Sequence, residues 1–91
     1  RTDMRVISQH GNVDLPYEQI VVCHAMESVI ALYNGEKYVL GEYSSKEKAY
    51  KAIEMLRKAW INGTIEFTHG IYHRNIIFQF PQDDEIEVGV C

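Results

Sequence analysis

The sequence predicts an α+β fold, in which an antiparallel β-sheet carries one long α-helix, at about residues 45–62, packed across it. Several short segments alternate apolar and polar residues with the period of a strand. Asn34-Gly35 lies between two of them and is the strongest short hairpin signal. A single stretch has the helical period instead. A chain of 91 residues is long enough for one domain only, and we place that domain at residues 4–91. Residues 1–3 precede Met4 and are predicted to be a non-native leader without a functional role.

Five segments in the first half alternate or are rich in β-branched residues, and each is predicted to be a short strand: residues 4–8, 13–15, 20–24, 29–33 and 37–43. Gly11 marks a turn between the first two, and Asn34-Gly35 a turn between the last two. Because these connections are short, we expect consecutive strands to be antiparallel.

The helix is predicted from a start signal and from one apolar stripe. Ser44 and Glu47 have the spacing of a capping box, in which the serine is the N-cap. Asn62-Gly63 provides the stop signal. Five apolar residues recur at helical spacing and form the face expected to pack on the sheet: Ala49, Ala52, Ile53, Leu56 and Trp60.

The last third is predicted to contain a strand at 64–68, one longer strand at 71–80, an acidic loop or turn at 82–85 and a short final strand at 86–90. If 71–80 is continuous, Arg74 lies on one face with Tyr72, and His73 lies on the other face with Asn75 and Gln79. Both rows carry hydrogen-bonding groups. From this local chemistry we predict His73, Arg74 and Gln79 at the rim of a ligand site.

Charge and composition exclude several classes of protein. The formal net charge of −4, from 13 acids and 9 bases, argues against a protein that coats DNA or RNA. No stretch approaches the roughly 20 apolar residues of a membrane span. The two cysteines, Cys23 and Cys91, form no CxxC pair and are expected to be free thiols in a reducing cytoplasm. Because a domain this small buries a modest core, we expect a homo-oligomer.

Catalytic and metal-binding motifs are absent from the sequence. The four histidines form no HExxH motif, and no phosphate-binding glycine loop is present. Asp83-Asp84-Glu85 could bind a divalent cation, but a solvated turn is the simpler interpretation. The expectation is therefore no enzyme, no cofactor and no metal.

The sequence contains residue types that suit a nucleotide-like ligand, because such a ligand needs flat faces and cationic donors. Aromatic residues make up 11% of the chain. Arg57 follows Tyr50 and Glu54 along one row of the predicted helix, beside the apolar stripe. We predict that it offers its guanidinium to a ligand. The alternative is an ion pair with Glu54 or solvation, and the aromatics could equally be core residues.

Three segments carry a resemblance to a known family: "MRVISQHGNVDLPYE", "LGEYSSKEKAYKAIEMLRKAW" and "FQFPQDDEIEV". Together they resemble small phage-encoded proteins that include the Thoeris anti-defence sponges. The resemblance implies a non-enzymatic protein that binds and sequesters a cyclic ADP-ribose isomer, and possible sites for cyclic di- or trinucleotides. It implies dimers or larger assemblies in the cytoplasm of the infected bacterial host. It adds Arg57, inside EMLRKAW, and Phe78 and Phe80, inside FQFP, to the predicted ligand-binding residues.

Two other functions stay open from the sequence. One is a phage protein that inhibits a host factor by direct contact, through its acidic surface and an exposed sheet edge, with no small ligand. The other is enzymatic destruction of a signal molecule.

Overall fold

The computed structural model describes residues 4–62, 64–67, 70–73 and 76–86. Within them, the helix α1 spans Lys46–Asn62, and 3-10 turns span Tyr17–Gln19 and Asp83–Glu85. The strands are β1 Met4–Ile7, β2 Asp14–Pro16, β3 Val21–Ala25, β4 Ser28–Tyr33, β5 Glu36–Glu42, β6 Thr64–Phe67, β7 Gly70–His73 and β8 Ile76–Gln79.

The α+β class is confirmed, but the strands form three small sheets instead of one. The order is β2-β1-β8 in the first sheet and β3-β4-β5 in the second, while β6 pairs with β7 alone. All neighbouring pairs are antiparallel except β1 and β8, which are parallel. The local turns impose antiparallel pairing. Most of the chain lies between β1 and β8, so no short turn constrains their relative direction.

The predicted hairpins are confirmed, with strand bounds shifted by at most one residue. Gly11 has a φ of +80° in the turn between β1 and β2. Asn34 and Gly35 have φ values of 52° and 81° between β4 and β5. Two consecutive positive φ angles are what a type I′ turn requires, which explains the Asn-Gly pair there.

The helix α1 begins at Lys46, one residue later than predicted. Ser45, not Ser44, precedes the first helical residue, and its hydroxyl accepts a hydrogen bond from the amide of Lys48 at 3.2 Å. The predicted capping box of Ser44 and Glu47 is therefore wrong. The amide of Ser44 donates instead to the carboxylate of Asp83 at 2.7 Å, a partner that no local pattern reveals.

The predicted apolar stripe packs on the sheets as expected. Ala49, Ala52, Ile53 and Leu56 are buried, and Trp60 is half-buried against the same core. The sheets contribute the rest of the buried apolar set: Met4, Val6, Leu15, Val29, Ala31, Leu40, Tyr43, Phe80 and Ile86. The helix thus covers the inner faces of the strands.

A β-bulge interrupts the pairing of β4 with β5. Ile30 pairs with Val39 and Val29 pairs with Gly41, so Leu40 is the additional residue. Gly41 is required beside it, because a Cβ atom there would lie 2.9 Å from the Cε2 atom of Tyr43. The bulge also reverses the alternation beyond Leu40 and places Glu42 opposite Ser28.

Polar bonds connect the end of β5, the turn after β1 and the segment after β8. Buried Gln9 donates to the carbonyls of Glu42 and Pro81, each at 3.2 Å, and accepts from the amide of Glu42 at 3.1 Å. The Tyr43 hydroxyl donates to the same Pro81 carbonyl at 2.9 Å. With the bond from Ser44 to Asp83, these contacts fix the start of α1. We call Gln9, Tyr43, Ser44, Pro81 and Asp83 the junction cluster.

The single strand predicted at 71–80 is wrong, because two strands, β7 and β8, occupy it. Residues 74 and 75 lie outside the described residues. The faces assigned by counting alternate residues across them therefore do not carry over from β7 to β8. The strand predicted at 86–90 falls mostly outside the described residues, and buried Ile86 follows the Asp83–Glu85 turn.

Candidate functional site

A groove runs between α1 and β3, the edge strand of the β3-β4-β5 sheet. Its volume is about 700 Å³, within the range of small-molecule sites. The strand contributes Val22, Cys23 and His24, and the helix contributes Glu47, Tyr50, Lys51, Ile53, Glu54 and Arg57.

The groove continues toward the C-terminal end of α1. A second depression of about 380 Å³ is lined by Tyr17, Glu18, Ile20 and Trp60 together with Val22, Ile53 and Arg57. The last three residues also line the first depression. The two depressions are thus parts of one cleft, the α1–β3 groove, and Arg57 lies where they meet.

An aromatic pair lies in each part of the groove. The rings of His24 and Tyr50 have centroids 4.2 Å apart at an angle of 58°. In the other part, the rings of Tyr17 and Trp60 are 4.9 Å apart at 34°. Tyr50 and Trp60 are ten residues apart on the helix, which corresponds to about 15 Å along its axis. The groove therefore offers two separate aromatic surfaces, one beside each part of the helix.

Local structure explains why these side chains meet. Alternation along β3 turns Val22 and His24 toward the helix, where Val22 packs on the core. Tyr50 and Arg57 belong to one helical row beside the buried stripe, and Tyr50 is exposed. Pro16 leads into the 3-10 turn that holds Tyr17 against Trp60. The groove is thus the seam between a sheet edge and the side of a helix.

Charged groups of both signs line the groove. Lys51 and Arg57 are cationic, and Glu18, Glu47 and Glu54 are anionic. The predicted alternative for Arg57, an ion pair with Glu54, is not formed among the residues that the structure describes. Its guanidinium is exposed and has five donors to offer to a ligand.

His24 has a polar atom that the fold itself does not satisfy. Its Nδ1 atom is buried and has no hydrogen-bond partner among the described residues. An unpaired buried polar atom is costly, and such atoms in native proteins often have a functional reason. Cys23 next to it belongs to the opposite face of the sheet, where its cross-strand partner is Ile30.

Of the predicted ligand residues whose side chains the structure describes, Arg57 alone lines the groove. Phe78 is half-buried and packs edge-on against Phe80 at 5.2 Å. Phe80 is 1% exposed and belongs to the core. Exposed Gln79 donates to the Ser8 carbonyl at 3.4 Å. His73 ends β7, and Arg74 lies outside the described residues.

Most of the groove residues were not predictable from the sequence. Tyr50 was recognisable, because it shares a helical row with Arg57. The signal for His24 and Tyr17 was weak, since each pairs with a helical residue more than 25 positions away. The acidic segment around Asp83 forms part of the junction cluster. In the described ranges, no group of three or more potential ligands could hold a metal ion.

Comparison with known proteins adds no family assignment. The sequence matches no protein-family model, and no curated protein or solved structure is measurably similar to it. No helix among the described residues is both long and apolar enough to cross a membrane. The site must therefore be interpreted from its own chemistry.

Proposed function

We propose that this protein binds a nucleotide-like ligand in the α1–β3 groove and releases it chemically unchanged. The observation that carries the proposal is the position of Arg57, at the meeting point of two depressions that each contain an aromatic pair. This arrangement suits a ligand with two flat rings and phosphates between them.

Each part of such a ligand has a matching group in the groove. The rings stack on the exposed ring of Tyr50 and on the Tyr17–Trp60 pair, as aromatic and cationic groups do on π faces. Arg57 and Lys51 donate charge-assisted hydrogen bonds to the phosphates. Glu47 and Glu54 accept from ribose hydroxyls or from the amino group of a base. The three acids of the groove disfavour ligands with many unbalanced negative charges.

The sequence resemblance supports a specific biological setting for this binding. In the proposed setting the protein is made by a phage in the cytoplasm of its bacterial host, and it sequesters a cyclic ADP-ribose isomer that signals infection. Cyclic oligonucleotides are secondary candidates. Sequestration needs sites in excess of the signal and a low dissociation constant. Nanomolar binding corresponds to about −12 kcal/mol, and the charge-assisted contacts and the two stacked rings each contribute part of it.

Thermal melting against a panel of cyclic ADP-ribose isomers and cyclic dinucleotides tests the proposal. A ligand at 100 times its dissociation constant adds about 2.7 kcal/mol, which raises the midpoint of a domain this size by roughly 10 °C or more. The ligand should be recovered intact after denaturation. A chemically altered product would show an enzyme instead, and no shift across the panel would contradict the proposal.

The variant Arg57→Ala links the binding to the groove. We expect it to weaken binding by about 1 kcal/mol or more, the order of a lost hydrogen bond to a charged group, measured by calorimetry. Lys58→Ala is the matched control, because it removes an exposed cation of the same helix that does not line the groove. Equal affinity in both variants would remove Arg57 from the site.

The open edge of β3 favours a second candidate, inhibition of a host protein by direct contact. In the part of the chain that the structure describes, β3 pairs only with β4. Its sequence, VVCHA, has no lysine, proline or acid of the kind that protects an exposed edge. Under this alternative, no nucleotide stabilises the protein, and a host protein is retained on the immobilised chain.

A further inference from the structure

The outer face of the β3-β4-β5 sheet, on the side away from α1, is formed by three rows of residues. Cross-strand pairing defines each row. One end row is Val21, Leu32 and Lys37, the central row is Cys23, Ile30 and Val39, and the other end row is Ala25, Ser28 and Glu42. The intervening residues of the same strands, such as Val29 and Ala31, are fully buried against the core.

This face is apolar and open. Val21 is 61% exposed, Val39 51% and Leu32 39%, while Cys23 and Ile30 are half-buried. Clustered apolar residues at the surface mark a contact site more often than scattered ones do. The two charged residues of the face lie at opposite ends, Lys37 at one and Glu42 at the other, and both are exposed. Neither side chain makes a hydrogen bond or ion pair with the described part of the chain.

The β-bulge gives this face its internal symmetry. On β3 and β4, the end rows lie two residues on either side of the central row. On β5 the distances are two residues to Lys37 and three to Glu42, and the additional residue is the bulged Leu40. Without the bulge, alternation would turn Glu42 toward the core. With it, Lys37 and Glu42 are equally far from Val39 along the sheet.

A two-fold axis that runs parallel to the central row, between the two copies, makes the face complementary to itself. The rotation places one end row of each copy over the other end row of its partner. Lys37 then lies over Glu42 of the second copy, and Glu42 over Lys37. The larger Val21 and Leu32 lie over the smaller Ala25 and Ser28, so that the side chains of the two sheets interdigitate as they do in a β-sandwich.

We propose that this face is the contact surface of a homodimer, in which two copies stack their β3-β4-β5 sheets face to face in opposite directions. The occupant is a second copy of this chain, because one rotation matches both the charges and the side-chain sizes. An isologous contact of this kind closes on itself and limits association to two copies at this surface.

The size of the face sets the expected strength of the contact. Three strands spaced about 4.8 Å apart and five residues of about 3.3 Å each give a footprint of roughly 14 by 16 Å. That is smaller than the patches of about 800 Å² per partner in stable complexes. We therefore expect a dimer that dissociates in the micromolar range or above.

The proposed contact is separate from the α1–β3 groove. His24 and Val22 face the helix, whereas Val21 and the side chain of Cys23 belong to the outer face. Cys23 also borders the groove, because β3 is the edge of its sheet. The dimer leaves both grooves open. The dimer thus forms whether or not the groove holds a ligand.

Sedimentation velocity of the full chain over a range of concentrations tests the proposal through charge reversal. Lys37→Glu places two acids over each other in both halves of the contact, and Glu42→Lys places two cations there. Each variant alone should dimerise roughly tenfold more weakly than the wild type or worse. An equimolar mixture of the two variants, in which every pair is again of opposite sign, should regain dimerisation near the wild-type level. The double variant carrying both changes should do the same.

Three results would overturn the proposal. The first is a wild-type chain that stays monomeric at several hundred micromolar. The second is a dimer that is unchanged by either single charge reversal. That result is expected if two copies pair through the edge of β3 instead. The third is a mixture that associates no better than its components. Val39→Asp should abolish dimerisation without lowering the melting midpoint in dilute solution, which separates loss of contact from loss of folding.

Discussion

Two polar regions along α1 differ in how many of their side chains have hydrogen-bond partners within the protein. At the start of the helix, the junction cluster pairs Gln9, Tyr43, Ser44 and Asp83 through hydrogen bonds of 2.7–3.2 Å. Three turns later, in the α1–β3 groove, the Arg57 guanidinium makes no such bond within the described residues. Polar groups that hold a fold are paired inside it, whereas groups that serve a ligand keep their donors available.

This difference separates stability from binding. Substitutions in the junction cluster should destabilise the protein, because each removes hydrogen bonds that connect distant segments of the fold. Substitutions on the open side of the groove should leave stability almost unchanged and affect only binding.

The largest effect is expected from Gln9→Ala. The change removes three side-chain hydrogen bonds and leaves the amide of Glu42 without its partner. We expect a loss of roughly 2–3 kcal/mol in the free energy of unfolding, measured by chemical denaturation. Gln79→Ala is the control, since that glutamine is exposed and makes one long bond of 3.4 Å. Equal losses in the two variants would argue against the importance of the cluster.

Tyr43→Phe should cost about 1 kcal/mol, because it removes one hydrogen bond to a carbonyl that Gln9 still contacts. Burial, reinforced by the charges of Asp83 and Glu85, raises the pKa of Tyr43 above its ordinary value. The unfolded chain loses this proton near pH 10, so the stabilising contribution is present below that pH and is lost above it. Denaturation at pH 8 and pH 10.5 should show a steeper loss for the wild type than for Tyr43→Phe.

Asp83→Asn should lower the melting midpoint by a few degrees at neutral pH. The backbone amide of Ser44, with help from Lys48, holds the pKa of the Asp83 carboxyl below its ordinary value. The depressed pKa stabilises the fold at pH values above the ordinary value near 4, and this stabilisation is lost as the pH falls through the lowered pKa. The difference between wild type and variant should therefore shrink between pH 6 and pH 3. Asp84→Asn, at an exposed neighbour, should show no such trend.

The smallest effect on stability is expected from Arg57→Gln, within about 0.5 kcal/mol of the wild type, as for exposed residues without partners. The same variant should nevertheless bind ligand more weakly. A large loss of stability would show that Arg57 supports the fold, and the contrast between the two regions would then fail.

The sequence by itself determined the local features of this protein. The alternation of the first five strands, the Asn34-Gly35 turn and the stripe from Ala49 to Leu56 depend on neighbours a few residues apart, and all of them are present in the structure. The same periodicity placed Tyr50 and Arg57 on one row, which is why one groove residue was predictable.

Only the tertiary structure decided the features that depend on distant partners. The parallel pairing of β1 with β8, the bond between Ser44 and Asp83 and the meeting of His24 with Tyr50 all join segments more than 20 residues apart. Many arrangements of such segments satisfy the same local pattern. The choice among them follows from packing and from the pairing of buried polar groups over the whole chain.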